Sequence, residues 1–388
     1  MSELTTEIQE GLTPPLVAAP AVPTAPARTL GGRVATCLFL VCLFVPPFYY
    51  DDDPYRSEQF AKIAALALFA LSIDLIWGYT GLLTLGHGLY FGLGAYAVAY
   101  SLKLQRAALA EGRELIAAPD MALPDFMAFS RLTQVPAWIA PLINIYLALA
   151  VAILVPLIVA AIFGFVTFRL RIKGVYFSLI TQALILALYL LVIRNLPYTG
   201  GDVGMVSLRR LELFGFEFKQ DYDLYFFIAG ILVVCFLGCA LLMNSKVGRL
   251  LTAIRDNENR VMALGYNAAL YKTFIFTLSG AIAGLAGALY VCANHSAGPK
   301  FLQIDFSIIA VIWVAVGGRG TLVGPILGAY LVEFGKILIS EEWPFVWTMI
   351  LGVLFVAVVL FLPDGIVGLV RKIFQVAVRR LPWPRPVA

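Results

Sequence analysis

Asp74 and His87 are two ionisable side chains inside an apolar, glycine-punctuated stretch that runs from Asp74 to Tyr96. Such groups are costly at membrane depth unless they face a bundle interior or a wet cavity, so each reads as a contact for a polar solute or as a group with a buried partner. Glycines at 78, 81, 86, 88, 92 and 94 lower helix stability and let backbones approach closely, as in broken helices that line a solute path. The same glycines also suit plain helix packing, and the stretch by itself does not separate the two. A second interruption, Gly317–Pro325, echoes the first, and both run on to a Gly-Ala-Tyr, at 94–96 and 328–330.

Residues 247–266 carry a different pattern. Leu250, Leu251, Ile254, Val261, Met262 and Leu264 recur at helical spacing, while Arg249, Arg255, Asp256, Glu258 and Arg260 supply a polar surface. One or two short amphipathic helices are expected, either lying on lipid headgroups or presenting a face to a partner. Glu333 and Lys336, about one turn apart, are expected to pair with each other.

Catalytic signatures are missing from the sequence. It has no G-x-x-x-x-G-K-[ST] to cradle nucleotide phosphates, no H-E-x-x-H and no G-x-S-x-G. The chain therefore reads as a non-enzyme, and any ATP energy has to come from another chain. Cys37, Cys42, Cys235, Cys239 and Cys292 fall within or at the edge of apolar runs and read as packing residues. Cys235 and Cys239 share a helical face without further ligands nearby, so no metal site is expected.

The elements that must position these groups follow from composition. Of 388 residues, 61% are hydrophobic and 13% charged, and the mean hydropathy is +0.88, which places most of the chain in lipid. Long apolar runs select helices over a barrel and give an all-α membrane protein of about ten spans. They fall near 34–50, 60–78, 82–101, 139–168, 174–193, 224–243, 272–292, 306–318, 321–340 and 345–362. Basic segments at 169–173, 246–272 and 371–385 and acidic ones at 51–53 and 341–342 fall on opposite sides, with both termini in the cytoplasm. The net charge of +4 therefore signals topology and not nucleic-acid binding. The organisation expected is a disordered cytoplasmic tail at 1–30, a transmembrane permease domain at 31–370 with a cytoplasmic loop at 244–271, and a basic cytoplasmic tail at 371–388. Residues 102–138 and 194–223 form outer segments. By this count the two glycine interruptions share one polarity, so either they are not equivalent positions of an inverted repeat or a span is misplaced.

From about residue 60 to residue 370 the chain resembles the membrane subunits of bacterial ABC importers in the branched-chain amino-acid permease family. The resemblance rests on Gly248–Glu258 followed by Ala263–Gly265, which looks like that family's ATPase-coupling loop. It implies a docking role for Gly248, Arg249, Ala253, Ile254, Arg255, Asp256, Asn257, Ala263 and Gly265. Within the family the chain is similar to the urea-type permease, on Leu75–Leu83 with Leu85–Gly88, Pro124–Met127, Val311–Thr321 and Pro363–Gly368. That likeness implies a bacterial inner-membrane heteromer with a second homologous permease and two ATPase subunits, which hold the ATP and Mg. It also implies a periplasmic or extracellular solute-binding protein, with no cofactor in this chain. Urea offers N–H donors and one carbonyl, so a fitting path presents acceptors, hydroxyls and aromatic walls. The positions implied are Asp74, Trp77, Thr80, His87, Tyr90, Phe91, Tyr176, Phe177, Thr181 and Gln182. Branched-chain amino acids or another amide, and a passive urea channel, are the alternatives.

Overall fold

The computed structural model describes residues 54–343, apart from 114, 116–120, 131, 173, 219 and 220, together with short stretches between 349 and 370. The predicted span at 34–50, much of that at 345–362, both tails, Cys37, Cys42, Pro363 and Asp364 lie outside the described residues.

The principal helices are α1 (Pro54–Thr80), α2 (Gly88–Ala110), α3 (Ile145–Arg169), α4 (Val175–Arg194), α5 (Asp221–Asn244), α6 (Lys246–Ala263), α7 (Ala268–Asn294), α8 (Ile304–Gly317) and α9 (Val323–Glu342). Six of them, α1, α3, α4, α5, α7 and α9, are long and apolar enough to cross a membrane, and α8 is a shorter apolar helix. In hydrocarbon a helix satisfies its own backbone groups, so uninterrupted apolar sequence becomes helix. Polar residues mark the starts. Asn144 accepts from the Tyr146 N–H at 3.0 Å before α3, and Ser245 accepts from the Val247 N–H at 3.1 Å before α6.

Three predicted boundaries move. The helix placed at 82–101 begins only at Gly88 and runs on to Ala110. Residues 81–87 are non-helical because Gly81 turns into the left-handed region at φ 74°, with its N–H still closing α1 onto the Trp77 carbonyl at 3.1 Å. Hydropathy passes over such a turn without a signal. At the far end Lys103, assigned to an outer segment, is buried. Its ammonium pairs with Asp125 at 2.9 Å and donates to the Val206 carbonyl at 2.8 Å, so the helix continues past its apolar run. The span placed at 139–168 starts with a 3₁₀ turn at Ala140–Ile143, and α3 follows only after its Asn144 cap. Residues 121–138 and 195–218 include short helices at Asp125–Phe129 and Leu196–Thr199 and a two-residue hairpin pairing Glu212–Leu213 with Phe216–Glu217.

α1 and α7 form the centre: 89% and 72% of their apolar windows are buried, against 22% to 28% for α3, α4 and α5. The latter three therefore face outward, toward lipid or another subunit. α7 packs on α1, α2 and α3, and its crossing with α2 brings Gly94 so close to the Gly284 carbonyl that any side chain there would collide. On its other side Gly284 lies against Ala152 and Pro156 of α3, where proline leaves a carbonyl without its helical partner. Lys336 pairs with Glu333 at 3.2 Å on α9, as their spacing predicts.

Candidate transport pathway and coupling contact

α1 and α8 each end in a non-helical segment, 81–87 and 318–322, and the second segment meets the last turns of α1. Asp74, one and a half turns before the end of α1, accepts the Gly320 N–H on Oδ1 at 2.7 Å. The approach requires glycine at 78, since a Cβ there would strike both Asp74 Oδ1 and Gly320 N. Arg319, next in the second segment, lays its guanidinium over the Trp77 ring at 5.8 Å.

The Gly78 carbonyl is among the last four of α1, which have no partner within the helix. Arg255 of α6 supplies one, donating from Nη1 at 2.8 Å, while its Nε holds Asp256 at 3.2 Å. The side chain packs beside Gly81, and its positive charge sits at a helix C-terminus, where the dipole favours it. A polar-faced helix is thereby tied to the first break.

The break itself is held by hydroxyls from neighbouring helices. Ser178 of α4 donates to the Leu83 carbonyl at 2.6 Å, Thr181 Oγ1 accepts the Leu85 N–H at 3.3 Å, and Ser307 of α8 accepts the Gly88 N–H at 3.0 Å. Non-helical backbone at membrane depth persists only where protein groups satisfy it in this way.

At its end His87 is fully buried in an aromatic box: Phe69 stacks on it at 5.8 Å between centroids, and Tyr90 and Phe276 meet it edge-on at 5.3 and 6.4 Å. Ser279 Oγ lies 3.0 Å from His87 Nε2 and donates its proton to the Ser72 carbonyl at 2.5 Å. With that proton committed, Oγ accepts from the ring, which fixes the Nε2–H tautomer and leaves Nδ1 as an acceptor. Nδ1 has no hydrogen-bond partner among the described residues, and neither has Asp74 Oδ2.

α6 is two helices merged across Asn257, whose backbone is extended (φ −157°, ψ 92°) and whose Oδ1 accepts the Arg260 N–H at 3.0 Å to cap the second segment. Gly248, Leu251, Ile254 and Val261 are buried, and Arg249, Ala253, Asp256, Asn257, Ala263 and Gly265 are exposed. Gly265 ends the helix at φ 88°.

The structure brings Asp74, Trp77 and Arg255 into one cluster. Tyr90, Phe91 and Phe177 gather with His87 in a continuous aromatic column that also includes Phe69, Phe276 and Phe306, three residues that sequence reasoning missed. Thr80 bonds its own helix at the Ile76 carbonyl, and Thr181 supports the break. Tyr176, 74% exposed, and half-buried Gln182 lie away from the column, on the outer part of α4. Ser178, Ser279 and Ser307 were also missed. Their only sequence signal is a hydroxyl in an apolar run, which is common in packed helices.

A bundle of membrane-crossing helices with two apposed breaks, one of them tied to a polar-surfaced helix, defines a solute permease. The family described as "Branched-chain amino acid transport system / permease component" matches residues 56–359, and the chain belongs to it. It is a multi-pass protein of the bacterial inner membrane and the permease component of an ABC importer, in which ATP hydrolysis resides in a separate subunit. The chain is similar to the high-affinity branched-chain amino acid permease protein LivM of Salmonella typhimurium, at 24% identity over 88% of this chain and 77% of the relative. A probable LivM of Methanocaldococcus jannaschii is 26% identical over 77% of this chain and 89% of its own length. The ribose import permease RbsC of Haemophilus influenzae matches 49% of this chain at 23% identity. No solved structure matches.

Proposed function

We propose that the chain forms, with a homologous second permease, the translocation pathway of an importer for a small amide, with urea as the solute. The observation that carries the reading is the double contact at Gly78, where Arg255 of α6 meets the break that Asp74 joins to Gly320. Two ATPase subunits engage the exposed face of α6 from the cytoplasm, and a solute-binding protein delivers solute on the opposite side. Movement of α6 is transmitted through Arg255 to both breaks, so that α1 and α2 separate from α7 and the His87 box opens. Alternating access follows, with no covalent step in this chain.

Urea is supported by the unpartnered His87 Nδ1, an acceptor for an N–H donor inside an aromatic enclosure. Asp74 Oδ2 is a second such acceptor, and the outward Tyr176 and half-buried Gln182 are available to a pathway shared with the partner permease. The LivM relatives favour a second reading, in which the solute is a branched-chain amino acid. Uptake of labelled urea and labelled leucine at micromolar concentration, in cells with and without this chain, separates the two. Loss of urea uptake alone supports the first reading, and loss of leucine uptake replaces it with the second. Urea uptake that persists without the partner ATPase would make the chain a passive channel and overturn both.

A further inference from the structure

Between the end of α3 and the second segment of α6 lies a cleft of about 590 Å³, lined in part by Arg169, Arg171, Glu258, Tyr266, Asn267 and Thr273. None of these groups takes part in the pathway or in the tie at Gly78. The geometry points to a binding site for the headgroup of an anionic phospholipid.

The charge of the cleft is one-sided. Its carboxylate, Glu258, is held by Lys272 at 2.8 Å, so that pair contributes little net charge. Arg169 and Arg171 have no ion-pair partner among the described residues, and both are exposed. Arg169 is oriented by the Phe165 ring, 5.5 Å from its guanidinium carbon, and Arg171 is turned by a left-handed backbone at φ 56°. Two arginines lining one cleft offer guanidinium forks that suit the oxygens of a phosphate diester. Asn267 uses its Oδ1 to cap the Leu270 N–H, which leaves its amide N–H groups as further donors beside the Tyr266 hydroxyl.

A free phosphate would need only that polar rim. The surroundings supply more: Phe165 (44% exposed), Val166, Leu270 and Phe274 stand open at the same level, on the outward faces of α3 and α7, where acyl chains would lie. Basic clefts between membrane helices with apolar flanks take lipid headgroups in this manner. The occupant would bridge α3 to the segment of α6 that follows the Asn257 kink and so brace the helix that carries Arg255.

The test counts lipid retained on the purified importer complex by native mass spectrometry, after reconstitution in phosphatidylcholine containing phosphatidylglycerol. Arg169→Gln with Arg171→Gln should lower retained phosphatidylglycerol about thirtyfold relative to the unmodified complex, whereas Arg169→Lys with Arg171→Lys, which keeps the charge and loses the forks, should lower it less. Arg194→Gln, a charge removed from the end of α4, should change nothing. Should the glutamine pair fail to insert, Thr273→Trp fills the cleft without touching charge and must also lower retention. Undiminished retention in either the glutamine pair or Thr273→Trp overturns the proposal. So does displacement of the lipid by inorganic phosphate, which would assign the cleft to a free anion.

Discussion

Replacing Arg255 with Met keeps the apolar stem of the side chain and removes its donors, which tests the tie between α6 and α1. A hydrogen bond from a charged donor contributes about 1.5–3 kcal/mol net. The Arg255 side chain is 39% exposed, so water screens the charge and takes over part of the task, which brings the loss to about 1–1.5 kcal/mol. If the bond must hold while α6 moves, that loss slows coupled transport about five- to tenfold. The assay has two arms: ATP-driven uptake into proteoliposomes, and co-purification of the ATPase subunit with the permease. Arg255→Met should reduce uptake by that factor and leave ATP hydrolysis and co-purification in place. Loss of co-purification together with uptake would make Arg255 a docking residue on the outer face of α6, and unchanged uptake would mean that the Gly78 contact transmits nothing. Either result refutes the mechanism.

Gly78→Ala drives a methyl between Asp74 Oδ1 and Gly320 N; overpacking and the broken hydrogen bond together should cost about 2–5 kcal/mol, seen as a lower midpoint of thermal inactivation in detergent. Lys272→Met removes the ammonium that holds Glu258, whose side chain is 17% exposed, and should destabilise the protein by about 1–3 kcal/mol in the same assay. Gly284→Leu cannot be accommodated between Ala152 and Pro156 and should abolish a folded, monodisperse protein by size-exclusion chromatography, whereas Gly238→Leu, on α5 with open space around it, should not.

Helix content was legible because apolar runs in lipid have one outcome. The amphipathic period of 247–266 likewise gave α6, and its cap at Asn257 explains why one pattern yields two segments. The glycine clusters marked both breaks. What they do to each other was not legible, since Gly320 and Asp74 are 246 positions apart, and Arg255 and Gly78 are 177 apart. Local period carries no information about such pairs. That the ends of α1 and α8 stand side by side is likewise absent from the local pattern. Hydropathy also misplaced the start of α2, because Leu82, Leu83 and Leu85 are apolar whether or not their backbone is helical. For His87 the residue type suggested a site, but its tautomer came only from Ser279 and the Ser72 carbonyl, on two other turns of the bundle.

The bond from Gly320 to Asp74 also sets an order of assembly. At a synthesis rate of about 5–20 residues per second, α1 is made roughly 12 to 50 s before its partner backbone leaves the ribosome. During that interval Asp74 has no glycine N–H to hold, and the Gly78 carbonyl gains Arg255 only after most of the same wait. The N-terminal half of the permease is thus inserted in an unlocked state and depends on the C-terminal third to finish it. A chain cut short before the second break would leave Asp74 Oδ1 without the backbone N–H that it accepts in the complete permease.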